Sequence, residues 1–134
     1  MRFKIYKEQR LLVDVLEGRT ELADLKAIFS REAASEDFFH VKRVLSNVRK
    51  ADFQFSPAEL KSYIELVFNT NPDPEVRWAI LTSSPIQVAY SLLLKKEEYF
   101  NKIVGVFSTV EACCDFLDVT FSEEQFAEAG YEEV

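Results

Sequence analysis

A single histidine, one pair of adjacent cysteines and one serine at a helix start are the residues through which this 134-residue chain could do chemistry. His40 is the side chain whose ordinary titration falls near neutrality, so it is the candidate general base. It follows Phe38 and Phe39 at the amino end of an expected strand, whereas ligands of open parallel sheets gather at the carboxyl ends. That placement reads as structural. No Gly-x-Ser-x-Gly elbow offers a nucleophile for it to activate. Cys113-Cys114 lacks the two-residue spacer of dithiol redox motifs, and both residues fit an apolar helical stripe, as small buried hydrophobes would. Phosphate-cradling glycine motifs are absent. With one His and two Cys, no metal constellation and no cofactor are expected.

The serine is Ser56, in Ser56-Pro57-Ala58-Glu59. Ser is placed as N-cap, Pro at the first helical position, and Glu where it can return a bond to the cap amide. The helix behind it carries Leu60, Tyr63, Ile64 and Val67 at helical spacing and stops at Asn71-Pro72-Asp73-Pro74. Ser84-Pro85-Ile86-Gln87 repeats the cap, with Ile86, Ala89, Tyr90 and Leu93 as the expected buried stripe. Ser108-Thr109-Val110-Glu111 repeats it again, with Val110, Cys113, Cys114 and Leu117. Before these, Phe3–Tyr6 and Leu11–Leu16 read as an antiparallel hairpin, and Thr20 as the cap of a helix beginning at Glu21. That helix carries Leu22, Leu25, Ile28 and Phe29 on one face.

His40–Leu45, Val76–Leu81 and Ile103–Phe107 read as the remaining strands. Strands alternating with helices imply a mostly parallel sheet with right-handed crossovers. The expectation is an α/β fold of five strands, one of them antiparallel, and four helices, in the order β-β-α-β-α-β-α-β-α. Residues 1–120 would form this domain. Residues 121–134, with five Glu and no Lys or Arg, would form an acidic extension: a short helix capped at Ser122, then a frayed end.

The formal charge is −7, and five of those units lie in that extension, so the body is nearly neutral. Nucleic acid is not expected as a partner, mainly because recognition motifs are missing. The charged N-terminus lacks a signal peptide's apolar stretch, and no apolar run approaches the roughly twenty residues of a membrane span. A cytoplasmic location, without membrane insertion and with reduced thiols, is the expectation. Two surface features remain. Lys42, Arg43, Arg49 and Lys50, with Arg77 nearby, are either a solvated strand edge or a docking patch for an acidic partner. Phe53, Phe55, Tyr63, Phe68 and Trp78 either fill the core or line an apolar pocket.

In order, length and spacing the chain resembles the SpoIIAA-like, or STAS, domains, and in particular the standalone bacterial SpoIIAA-like proteins, which are similar in fold to CRAL-TRIO lipid-binding domains. The likeness lies in Leu12-Val13-Asp14-Val15-Leu16-Glu17-Gly18, in Val76–Leu81, and in Ile103–Phe107 followed by Ser108 and Val110–Leu117, and covers about residues 1–119. It implies a non-catalytic module working through protein contacts, possible forms being an anti-sigma-antagonist-like regulator or a homodimer. Sporulation members of this fold are phospho-switches, and the region matching their switch reads Asp52-Phe53-Gln54-Phe55-Ser56. Ser56 stands at the matching place, but the Asp-Ser and Gly of that motif are missing, and capping already accounts for it. The CRAL-TRIO side implies the alternative, a binder of a small apolar or lipid-like ligand. An enzyme is the third reading, which a deep pocket with paired, perturbed carboxylates would revive.

Overall fold

The computed structural model describes residues 1–134, all of the chain, as a mixed α/β fold with one six-stranded sheet and four α-helices. Strands β1 (Arg2–Tyr6) and β2 (Leu11–Thr20) form the hairpin, turning through Arg10 in a left-handed conformation. The chain continues through α1 (Leu22–Ala33), β3 (Arg43–Phe53), α2 (Pro57–Thr70), β4 (Arg77–Leu81), α3 (Pro85–Lys96), β5 (Val104–Phe107) and α4 (Val110–Leu117). The order across the sheet is β5-β4-β3-β2-β1-β6, with β2, β3, β4 and β5 parallel. Successive crossovers all step in one direction. Right-handedness then puts α1, α2 and α3 on the same face, and α4 covers the other.

Several elements differ from expectation. The sheet has six strands, not five, because Glu132–Glu133 forms β6 against β1, where a frayed end was expected. Val134 N–H donates to Met1 O at 2.9 Å, and Gly130, at φ +100°, makes the turn that brings the chain back. Phe121 and Phe126 are buried in the core beneath α4, so this segment is packed onto the body. The third strand runs from Arg43 to Phe53 rather than His40–Leu45, and Phe38–His40 is a short 3-10 helix. Arg49, Lys50 and Asp52 hide the second half of β3. Lys50–Phe53 runs past β4 and pairs only with β2, so it meets solvent on one edge and tolerates charge.

Caps shift by one residue at two helices. The N-cap of α1 is Glu21, boxed with Asp24, while Thr20 is buried with its hydroxyl on Gly18 O. Thr109, not Ser108, caps α4. Of the expected α3 stripe only Tyr90 faces inward, packed on Phe53 and Phe55. Gln87, Ser91 and Leu94 face the sheet, while Ile86 and Leu93, 65% and 38% exposed, face outward. The cause is Gln87. Its amide donates to Arg49 O at 3.0 Å and Ala51 O at 3.1 Å and accepts from Ser83 N–H at 2.7 Å. Those overhanging β3 carbonyls need donors that a leucine cannot supply.

Candidate functional site: a carboxyl pair beneath the helix layer

Strand β2 alternates cleanly. Leu11, Val13 and Val15 enter the core under α4, which leaves Leu12, Asp14 and Leu16 facing α1–α3. Asp14 is therefore an acid in the middle of an apolar face, opposite Phe3 of β1 and Ser46 of β3. Above it α1 buries Leu25, Ile28, Phe29 and Glu32, one stripe whose last member is a second acid. Asp14 and Glu32 meet there, 7% and 5% exposed. Trp78 Nε1–H donates to Ser46 Oγ at 2.9 Å, and Ser46 supports Asp14 from below.

An isolated buried carboxylate is costly, and two side by side cost more. Burial pushes Asp14 up to about 6, and the neighbouring Glu32 and Ser46 side chains hold it back from rising further. Burial and then the charge of Asp14 push Glu32 well above the usual range. Each acid therefore holds its proton to higher pH than a free carboxyl does, and the two titrate as a pair. The Tyr63 hydroxyl is also pushed up, by burial and by the two acids.

Two apolar lobes flank the pair: Asp14 borders both, and Glu32 borders the second. One, of about 60 Å³, runs between α1, α2, α3 and the sheet and is lined by Phe53, Phe55, Tyr63, Trp78 and Tyr90 among others. The second, of about 70 Å³, runs under α1 and α2 and is lined by Phe29, Phe38, Val67, Tyr99 and Phe100 among others. Asp14, Tyr63 and Trp78 border both. Three buried side-chain polar atoms in the protein lack a hydrogen-bond partner: Asp14 Oδ1, Glu32 Oε1 and Tyr99 Oη. All three residues line the second lobe. Buried polar atoms are nearly always paired, so the gathering of these residues around one cavity marks it. The protein has no other such cluster.

The aromatic residues read from the sequence divide. Phe53, Phe55, Tyr63 and Trp78 come together on the first lobe, while Phe68 packs on Tyr99, 40% exposed, outside both. Phe53, Phe55 and Tyr90 form a ring cluster with centroids 5.0–5.6 Å apart. The basic residues are not one patch. Lys42 precedes β3 and Arg43 starts it, and Arg49 and Lys50 follow after about 20 Å of strand. Lys42 pairs with Asp73 at 2.5 Å, Arg43 donates to Leu117 O, and Arg49 pairs with Glu123 at 2.6 Å. Lys50 is exposed without an ion pair, and Arg77 donates to Phe116 O at 3.0 Å.

Ser56 is the N-cap of α2: its Oγ accepts from Glu59 N–H at 3.1 Å and Glu59 Oε1 accepts from Ser56 N–H at 3.0 Å. Asp52 is an exposed residue of β3, level with Arg19 of β2. His40 is exposed beside Asp37, Lys7 and Arg10, away from the carboxyl pair. Cys113 is fully buried, its thiol pushed up to about 12, and Cys114 Sγ donates to Phe121 O at 3.4 Å. Neither thiol is set up as a nucleophile. No three His, Cys, Asp or Glu residues converge as a metal site, and no helix is long and apolar enough to cross a membrane.

Sequence reasoning missed Asp14 and Glu32, although the signal was present in both. Asp14 interrupts the apolar run Leu11–Leu16, and Glu32 occupies the next place after Leu25, Ile28 and Phe29 on the α1 stripe. Comparison with protein-family models gives no match, and comparison with curated proteins gives none either.

Proposed function

We propose that this protein binds a small, largely apolar ligand between its helix layer and its sheet. The observation that carries this reading is that all three residues with an unpartnered buried polar atom line one apolar cavity. Apolar walls with a few polar groups are the ordinary make-up of a ligand site. A carboxyl pair is also the arrangement that could support acid–base catalysis. No Lys, Arg or His lines either lobe to hold negative charge developing on a substrate, which favours binding over turnover. The test is to narrow the cavity. Val67→Trp, at the second lobe, should abolish the thermal stabilisation given by small apolar probes such as cyclohexanol, while leaving the fold intact by circular dichroism. Equal stabilisation of the variant and the parent protein would refute the reading.

A second reading rests on a different observation, the outward face of α3. Ile86, Ala89, Leu92 and Leu93 are exposed on that helix, an apolar surface of the kind that marks protein contacts. It supports the SpoIIAA-like reading of the chain as an interaction module, a homodimer included, as does the order β-β-α-β-α-β-α-β-α of the strands and α-helices before β6. Sedimentation of Ile86→Glu/Leu93→Glu beside the parent protein tests the homodimer: an unchanged monomer in both would reject that form.

A further inference from the structure

We propose that the cavity selects an amine: a ligand with an apolar body whose ammonium sits against Asp14 and Glu32. This rests on the ligand-binding reading above and names the class of ligand. Three observations carry it. Two of the polar atoms without a hydrogen-bond partner, Asp14 Oδ1 and Glu32 Oε1, belong to carboxyl groups that line the second lobe. Once their shared proton leaves, both are acceptors only, so the group that satisfies them must be a donor. Next, the lining of both lobes contains acids and no base: Asp14 in both, Glu32 and Asp73 in the second, and no Lys, Arg or His. Asp73 at the rim is already held by Lys42, which leaves the buried pair as the uncompensated charge. A ligand carboxylate or phosphate would therefore meet like charge without a counter-ion, at a heavy desolvation cost. Finally, Tyr63 and Trp78 border both lobes at the pair, and aromatic rings add attraction for an ammonium group. Tyr99 Oη, able to donate or accept, does not discriminate between ligand charges.

The exchange balances simply. A proton held by the Asp14–Glu32 pair leaves to solvent as the R–NH3+ group arrives, and two carboxylates then face one cation. The titratable groups around the seat are Asp14 from β2, Glu32 from α1 and Tyr63 from α2, with Ser46 of β3 and Trp78 of β4 beneath. Tyr63, raised by the same acids, stays protonated throughout.

Calorimetric titration of the full chain near neutral pH with n-hexylamine, n-hexanol and n-hexanoate tests this directly. Hexylamine should bind at least about tenfold more tightly than hexanol, and hexanoate most weakly. Repeating the amine titration in buffers of different ionisation enthalpy should show proton release. Asp14→Asn/Glu32→Gln should lose the amine preference and keep hexanol binding, which also reports that the cavity is folded. Should the double variant not fold, Glu32→Gln alone serves: without a proton to share, it should bind amine with no proton release. Hexanol or hexanoate binding as tightly as the amine, a preference surviving in the double variant, or proton release surviving in Glu32→Gln would overturn the amine assignment while leaving the cavity reading in place. Failure of all three probes to bind the parent protein would overturn both.

Discussion

Asp14 and Glu32 face one another across the sheet–helix interface, eighteen positions apart in sequence, with the Oδ1 of one and the Oε1 of the other lacking a partner. No water-exposed salt bridge has this character. The ion pairs of Lys4 with Glu128 and of Arg31 with Glu132 lie at the surface, where such pairs contribute little. The buried pair instead couples the core to pH.

Its sign follows from the direction of the shifts. Both acids have folded pKa values above their unfolded ones, so the native state holds more protons than the unfolded chain. Stability from this pair is full below about pH 4 and is lost as pH rises through the folded value of Asp14, about 6, and on toward that of Glu32. A shift from 3.8 to about 6 corresponds to about 3 kcal/mol at Asp14. Urea denaturation at pH 5 and pH 8 should therefore show the parent protein less stable at pH 8, and Asp14→Asn should flatten that difference. An unchanged slope in the variant would contradict this account of the pair.

Ser56 makes a separable prediction. Ser56→Ala removes the Oγ that accepts from Glu59 N–H and should cost about 1 kcal/mol. Asp is as good an N-cap as Ser, so Ser56→Asp should unfold within about 0.5 kcal/mol of the parent protein. Thermal unfolding of the three proteins checks both statements. Because the aspartate variant keeps its stability, any change in its partners would report signalling rather than unfolding.

Gln87 holds α3 to the overhanging end of β3. Gln87→Leu has nearly the right volume but leaves Arg49 O, Ala51 O and Ser83 N–H without that side chain. Loss of about 3 kcal/mol is expected, at roughly 1 kcal/mol per bond. A hydrophobic substitution at a buried site that stabilised the protein in chemical denaturation would refute this role.

Phe126 tests whether the C-terminal segment belongs to the body. It is buried against Phe121, centroids 4.8 Å apart, with Arg49 over its ring at 5.5 Å. Phe126→Ala should cost about 3 kcal/mol, a large fraction of the stability of a domain this size. It should also raise hydrogen exchange at Arg2 and Phe3, which pair with β6. A solvated tail would show neither effect.

Local chemistry already determined much of this protein. The capping boxes, the Pro at the first position of α2 and α3, and the 3.6-residue stripes of α2 and α4 are fixed by neighbours within a turn, so the alternation of strands and helices is legible in the residues alone. Tertiary structure decided the rest, because it depends on what each element is paired with. β3 accepts charges only because its end overhangs β4. α3 turns a polar face inward only because carbonyls of that overhang need donors. Glu132 and Glu133 form a strand only because β1 has a free edge. Asp14 and Glu32 become a pair only when α1 folds back over β2, since nothing local distinguishes a stray acid in an apolar run from one half of a site.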